Sequence, residues 1–323
     1  MSLCRRRFLQ LAAGTAALPA LSRVARAEPY PTRPVRLVVG LPAGSSPDIG
    51  ARLLAQWLSE RLGQQFIVDN RPGANSNIAT ESVVRAAPDG YTLLLAIAAN
   101  AVNASLYETL SFNFIRDLAP VAGIARVPQV MEVHPSVPAE TIPQFVAYAK
   151  ANPGKLNMAS GGIGGTPHVA GELFKMMAGV DMLHVPYRGN PRPDLLGGQV
   201  QVMFDTVPAS IEYIRSGKLR ALGVTSAGRL AALPDIPAVA EFLPGYEASG
   251  WQGLAAPKST PAEIIDRLNK EISAGLADAK LNAQLTNLGA APMPMTSAEF
   301  ARLIADDIGK WAKVIKFAGI KAE

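Results

Sequence analysis

The chain has 323 residues, of which 49% are hydrophobic and 18% charged. That balance excludes a disordered chain and allows about two domains at ~150 residues each. The formal charge is +5, yet Arg5, Arg6, Arg7, Arg23 and Arg26 all fall within the first 27 residues, which carry no acid. Of the 31 basic residues, 26 remain after those five, against 26 acidic ones. The rest of the chain is formally neutral, which argues against a broad cationic surface and against nucleic acid as a partner.

The first 27 residues have the three parts of an export signal. Arg5–Arg7 form a charged start, Leu9–Leu21 an apolar stretch too short to span a bilayer, and Ala25-Arg26-Ala27 an A-x-A cleavage site. The run Arg5-Arg6-Arg7-Phe8-Leu9 is similar to a twin-arginine signal. Cleavage near Ala27 predicts a mature chain starting at Glu28 in the periplasm. The sole cysteine, Cys4, leaves with the leader. The mature chain then has no disulfide, thiol nucleophile or thiolate metal site.

Beyond the leader, strands and helices alternate. Val35–Gly40 reads as a strand, followed by a Gly/Ser/Pro turn and a helix near Ile49–Leu62. Phe66–Asp69 is a second strand and Ile78–Ala86 a second helix. Tyr91–Ala99 is a continuous apolar run, as expected of a strand buried on both faces. This opening implies a parallel sheet. A long extended stretch over 121–133 is interrupted by Pro128. Thr141 to Gln144 resembles a capping box that opens a helix. Strands are expected at Leu156–Ser160, Met182–Val185, Val200–Asp205 and Leu219–Thr225, with helices between them. Residues 251–256 read as a return strand. Helices starting near Pro261 and ending in the run Phe300, Leu303, Ile304, Ile308, Trp311 and Ile315 have no local sheet. They are expected to pack back on the first unit. The expected division is 28–127 plus 250–323 as one domain and 128–249 as the other. The chain then crosses twice, near Val127-Pro128 and near Ser249-Gly250. A ligand is expected between the domains, at strand carboxyl ends.

Two loops carry most of the chemical signal. Leu41 to Asp48, with Ala43, Gly44, Ser45 and Ser46, joins the first strand to the first helix. It is either a ligand loop on a helix N-terminus or a capped turn. Ser160 to His168 places Gly161, Gly162, Gly164 and Gly165 ahead of Thr166. Such a loop can turn amides towards an anion. Pro167 stands where a dinucleotide fingerprint needs its third glycine, and no phosphate loop follows elsewhere. His168 and Glu172 are four apart on a helix, but capping or packing is favoured over metal, and no metal or cofactor is expected. No G-x-S-x-G nucleophile elbow occurs. Asp205, at a strand end, can accept from a ligand amine or hydroxyl, or cap a helix. Arg188 can pair with a ligand carboxylate or lie free on the surface.

Taken together, several stretches resemble the receptors of tripartite tricarboxylate transporters, the Bug family. They are Pro42-Ala43-Gly44 with Asp48, Asn70 to Ala74, Pro88 to Leu94, Asn103 with Leu106-Tyr107, Pro153-Gly154-Lys155, Gly162 to His168, His184 to Gly189, and Leu195 to Asp205. The resemblance implies an α/β, two-domain periplasmic-binding-protein type II fold (a Venus flytrap) with two interdomain crossovers. It implies a non-catalytic receptor that captures a small carboxylate and delivers it to membrane permease subunits. Di- or tricarboxylates, acidic amino acids and aromatic acids are the usual ligands. A ligand sensor for a membrane regulator and an exported hydrolase are the alternatives. A monomer is expected. The candidate ligand-binding residues are Ala43, Gly44, Ser45, Ser46, Asp48, Asn75, Ser76, Asn100, Ser160, Gly162, Gly164, Gly165, Thr166, His168, Arg188 and Asp205. Two departures stand out: Pro47 removes an amide donor, and Asn190-Pro191-Arg192-Pro193 is shorter than the usual segment and alters a cleft wall. Replacing Arg5 and Arg6 together with lysine is expected to block export through the twin-arginine route. Normal periplasmic accumulation of that variant would exclude the route.

Overall fold

The structure is a computed structural model that describes residues 30–322, so the leader and its cleavage site lie outside the described residues. Two mixed sheets organise the chain. The first has the strand order β11-β4-β10-β3-β1-β2 and the second β7-β6-β8-β5-β9. In the first sheet β1 (Val35–Val39), β2 (Phe66–Asn70) and β3 (Thr92–Ile97) are mutually parallel. The helices α1 (Ser46–Leu62) and α2 (Asn77–Val84) make the crossovers between them.

The apolar run after Tyr91 is not one strand. β3 stops at Ile97 and α3 (Ala98–Leu106) begins at once. The buried Asn100 side chain causes the switch, because its Oδ1 accepts from the Ile97 amide at 2.8 Å and caps the new helix. A short helix α4 (Phe114–Asp117) leads into β4 (Leu118–Val127). Pro128 then separates β4 from β5 (Gln129–Val133), and the two strands belong to different sheets.

The second sheet holds β5, β6 (Asn157–Ser160), β7 (Leu183–Pro186), β8 (Val202–Thr206) and β9 (Arg220–Val224). Its helices are α5 (Ile142–Ala151), α6 (Thr166–Ala178), α7 (Arg192–Leu196) and α8 (Val207–Arg215). Strands β6, β7 and β8 run parallel, whereas β5 is antiparallel to β8 and β9. The Thr141 hydroxyl caps α5, but Gln144 reaches back to the Glu140 amide instead of the Thr141 amide.

After β9 the chain returns along β10 (Gly250–Pro257), antiparallel to both β3 and β4. Helices α9 (Ala262–Ala277) and α10 (Ala279–Asn287) follow, with α9 packed on β4 and α1. They bring a strand that the sequence pattern conceals, β11 (Ala291–Met295). Two prolines mask it, and an edge position beside β4 tolerates them. The last helix, α11 (Ser297–Ala318), starts from a capping box in which Thr296 and Glu299 exchange hydrogen bonds. It packs on α3 and also on α6, so it touches both halves. Its Asp307 accepts from the buried Trp251 indole at 2.6 Å. One apolar cluster therefore runs from Leu94 of the first sheet through Trp311 to Met158 of the second. No described helix is long and apolar enough to cross a membrane.

One acid is out of place in this core. Glu132 of β5 is 0% exposed and neither carboxyl oxygen has a hydrogen-bond partner. Burial is the main reason its carboxyl is pushed up to about 8, and the charge of Asp205 adds to it. The nearby Ser210 hydroxyl and Arg192 guanidinium only partly offset this. The folded chain thus keeps a proton that the unfolded chain releases above about 4.5. The stability tied to that proton is complete below this value and is lost as pH rises through about 8. Glu132→Gln is expected to flatten this decline, which is on the order of a few kcal/mol. Urea denaturation across that pH window measures it.

Candidate functional site

The loop after β1 is shaped from behind by Asp48. Its carboxylate, 1% exposed, accepts from the Gly44 amide at 2.8 Å, from Arg52 Nε at 3.0 Å and from Asn70 Nδ2 at 2.9 Å. Burial would raise this carboxyl, but those hydrogen bonds outweigh burial and hold it below the ordinary range. Gly44 takes φ +81, which lets the loop turn back on Asp48. Asp48 therefore fixes the loop rather than facing out of it. Ala43 is exposed, and Ser45 stands at the N-cap position of α1 without a side-chain cap, its buried hydroxyl having no partner. Ser46 and Pro47 form the first turn of that helix.

The second contributor is a strained turn. Ala74, Asn75 and Ser76 have φ of +45, +49 and +76 in succession, a left-handed run that non-glycine residues seldom adopt. Asn103 of α3 holds it, donating to the Asn75 carbonyl at 2.7 Å and to Asn77 Oδ1 at 2.8 Å. Asn75 Nδ2 in turn donates to Asn103 Oδ1 at 2.9 Å. Ser76 packs so closely on β1 that a Cβ on Gly40 would lie 1.9 Å from its hydroxyl oxygen. Asn100 takes no part in the turn. Its Oδ1 caps α3 and its Nδ2 donates to Thr80 at 3.0 Å.

The glycine loop comes from the second sheet, between β6 and α6. Two of its amides are used internally. Gly162 N donates to Ser160 Oγ at 3.3 Å and Gly164 N to His168 Nδ1 at 3.1 Å. Because Nδ1 accepts, the ring's N–H is on Nε2, facing Glu172 Oε1 at 3.7 Å. His184 stacks on His168 with ring centroids 3.6 Å apart. Burial, with the neighbouring His168, lowers His184 to about 4, so it stays neutral near pH 7. Its Nε2 lies 2.7 Å from Ser160 Oγ, whose own proton goes to the Gly162 carbonyl. Burial would raise Glu172, but hydrogen bonds from His168 and Lys175 bring it below the ordinary range. His168 is thus a buried support for the loop and does not line a cavity.

Further amides without a partner stand at the helix start. Thr166 and His168 stand in the first turn of α6, where no preceding carbonyl is in reach, and Pro167 has no N–H. The loop also meets the first sheet. Gly164 O lies 3.3 Å from Asn75 Nδ2. A Cβ on Gly164 would come within 2.3 Å of Leu106 Cδ2, and its φ is +76. Gly165 has an ordinary φ and only van der Waals neighbours, so of these two it is Gly164 that the geometry requires, while Gly162, at φ +139, is held to glycine by its backbone angle.

Beside these pieces lies a cavity of about 150 Å³ between the sheets. Ser46 and Pro47 of α1 and Thr166 and Pro167 of α6 line it, so both helix starts open into one space. The sequence pattern did not single out the other polar lining residues: Gln129 from the start of β5, Thr206 from the end of β8 and Gln252 from β10. Glutamines inside strands carry no motif. Their one signal is position, beside the two crossings.

Of the candidate residues only Ser46 and Thr166 belong to this lining; Ala43, Gly44, Ser45, Asp48, Asn75, Ser76, Asn100, Ser160, Gly162, Gly164, Gly165, His168, Arg188 and Asp205 fall outside it. Arg188 is exposed and has no ion pair among the described residues. Asp205 pairs with Arg192, the basic residue of the shortened segment, and accepts from the Thr206 amide at 2.7 Å at the start of α8. Asp205 is thus engaged by Arg192 and by the Thr206 amide, and makes no side-chain cap to α8.

A family model described as "Tripartite tricarboxylate transporter family receptor" matches residues 50–320. Protein BugT of Bordetella pertussis is 37% identical over 300 residues, covering 91% of this chain and 92% of that protein. Among solved structures, R. palustris Rpa4515 with adipate is 38% identical with a TM-score of 0.79, covering 90% of this chain and 99% of that one. MatC from Rhodopseudomonas palustris with bound malate is 30% identical with a TM-score of 0.76, covering 88% and 100%. The chain belongs to the tripartite tricarboxylate transporter receptor family, whose members are binding proteins and not enzymes.

The histidine support can be tested without a ligand. His168→Leu leaves the Gly164 amide without an acceptor and is expected to cost about 1–3 kcal/mol. His168→Asn offers Oδ1 close to the place of Nδ1 and should retain most of that stability. Urea denaturation, with hydrogen exchange at the Gly164 amide, distinguishes the two variants.

Proposed function

From its place among these periplasmic solute-binding receptors, we infer that the chain captures a small carboxylate between its two sheets and presents it to a membrane permease. The observation that supports this most directly is the convergence of α1 and α6 on one cavity. Each helix start carries unpaired N–H groups and the positive end of a helix dipole. Together they favour an anion without a lysine or arginine. Ser45, next in sequence to the lining Ser46, has a buried hydroxyl that lacks a partner. The relatives with adipate and malate bound are consistent with an acidic ligand.

In this reading residues 28–127 plus 250–323 form one domain and residues 128–249 the other. The paired crossings near Pro128 and Gly250 act as the hinge. Closure joins the Asn75 turn to the Gly164 carbonyl and shuts the ligand away from water. The leader directs the chain to the periplasm and is removed near Ala27. The ligand-contacting set starts from Ser46 and Thr166, which line the cavity, with Ser45, Asn75 and the loop from Ser160 to Gly165 as candidates outside that lining. Asp48, Asn100 and His168 act by shaping it.

Calorimetry against a panel of small carboxylates tests the reading. A ligand at a hundredfold excess over Kd should add about 2.7 kcal/mol of stability. Small-angle scattering should show compaction. Thr166→Val is expected to weaken binding by about 0.5–1.5 kcal/mol, or up to ~3 if its hydroxyl meets the carboxylate. Gly164→Val should cost more, because φ +76 and the Leu106 contact both exclude a side chain. Unchanged affinity in both variants, with folding intact, would place the site elsewhere.

A further inference from the structure

We propose that Glu247 is a positioning residue for ligand capture: its carboxylate, held by Arg126 and Lys310 beside the two crossings, latches the two halves in the arrangement that shuts the cavity. The proposal rests on the reading of residues 28–127 plus 250–323 and residues 128–249 as two domains that close on a ligand. Three observations carry it.

The first is where the chain can bend. Thr225, fully buried just after β9, gathers both crossing segments on the side of the second sheet. Its hydroxyl accepts from the Gln129 amide at 2.8 Å and its amide donates to the Gln129 carbonyl at 2.8 Å. Its carbonyl accepts from the Ala248 amide at 3.0 Å. On the side of the first sheet, the ladder of β4 and β10 ends with Val127 opposite Gly250. Only Pro128 and Ser249 lie between these two anchorages, so a rotation of one sheet against the other is taken up there.

The second is a side chain that reaches back over the bend. Glu247 precedes Ala248 and moves with the second sheet. Its carboxylate accepts from Arg126 Nη1 at 3.2 Å and lies 3.5 Å from Lys310 Nζ, and its carbonyl accepts from Lys310 Nζ at 3.2 Å. Arg126 belongs to β4 and Lys310 to α11, both in the other half. Rotation about the bend changes the spacing between Glu247 and these cations. Their attraction therefore favours the one arrangement in which both are in reach. In that same arrangement Asn75 Nδ2 lies 3.3 Å from Gly164 O across the halves. A single exposed pair would add little. Here one carboxylate meets two cations, and the Arg126, Glu247 and Lys310 side chains are only 35%, 28% and 27% exposed.

The third is a link from the latch to the cavity wall. Lys310 Nζ also pairs with Asp307 Oδ1 at 2.7 Å, and Asp307 Oδ2 accepts from the Trp251 indole at 2.6 Å. Trp251 lines the cavity and stands opposite Arg126 in the β4–β10 register. The path from Glu247 through Lys310 and Asp307 thus ends on a residue of the ligand space. Glu247 is not among the lining residues, so its removal takes no contact from a ligand.

The test reads the domain arrangement directly. Residues 28–323 contain no cysteine, so Ile67→Cys and Leu183→Cys, exposed on the edge strands β2 and β7, take a pair of spin labels. Pulsed electron resonance on the chain from Glu28 measures the fraction of empty receptor at the interdomain distance of the structure. Glu247→Gln should lower that fraction about three- to tenfold, with urea stability little changed. Sodium chloride at about 1 M should do the same to the parent and leave the variant where it is. With adipate or malate as the probe, the apparent Kd should rise by the same factor, mainly through faster release. If Glu247→Gln does not fold, Arg126→Gln and the salt series decide. The proposal is overturned if neither variant nor salt moves the distance distribution. It is also overturned if Glu247→Gln lowers affinity or urea stability while the distribution stays as in the parent. Failure of every carboxylate to bind would instead remove the receptor reading, and the distance measurement still decides the latch.

Discussion

Everything at the site depends on two stretches of chain crossing between the sheets side by side. β4 and β10 pair antiparallel up to Val127 opposite Gly250, the last residues of the first sheet before each crossing. Both connections therefore leave the sheet at one place. Pro128 marks the break on one side, and Gly250 lies against Thr166 of α6 on the other. This pairing sets the two sheets with the carboxyl ends of β1 and β6 facing each other. It also explains why the cavity takes residues from both crossing strands, Val127, Gln129, Trp251 and Gln252, none of which sits on a loop.

The site itself is made from backbone, and side chains mainly hold that backbone in shape. Asp48 pulls the first loop in, Asn103 holds the left-handed turn, and His168 holds the glycine loop. Each support is buried and each uses a hydrogen bond that would be costly to lose. The His184 ring, stacked on His168 with centroids 3.6 Å apart, adds a further constraint on the loop. The strain in Ala74 to Ser76 is of the kind that surrounding structure must over-determine. Here Gly40 leaves room for Ser76, and Asn103 and Asn77 hold the turn from the other side.

Much of this was legible before any coordinates. Periodicity identified α1, α9 and α11 because each has a long apolar face and a recognisable start. The glycine loop and the first loop were legible because their composition has few other uses. Other features escaped for physical reasons. The run from Tyr91 to Ala99 is apolar throughout, and only the Asn100 hydrogen bond tells where strand becomes helix. β11 contains two prolines and is tolerated only because it lies at an edge. Composition leaves the roles of Asp48, Asn100 and His168 open for a common reason. A polar residue near a loop can face the ligand or brace the loop, and composition is the same in both cases.

The amino-acid sequence by itself determined the family, the alternation of strands and helices, and the neutral balance of the chain beyond residue 27. These depend on residue type and spacing along the chain, which are local properties. Only the tertiary structure decided that Asp205 is matched by Arg192, that Gly164 rather than Gly165 must be glycine, and that Gln129 and Gln252 share one wall. Each of those facts concerns groups distant in sequence or a backbone angle set by packing. Nothing in a one-dimensional pattern specifies which of many buried polar groups will be left without a partner.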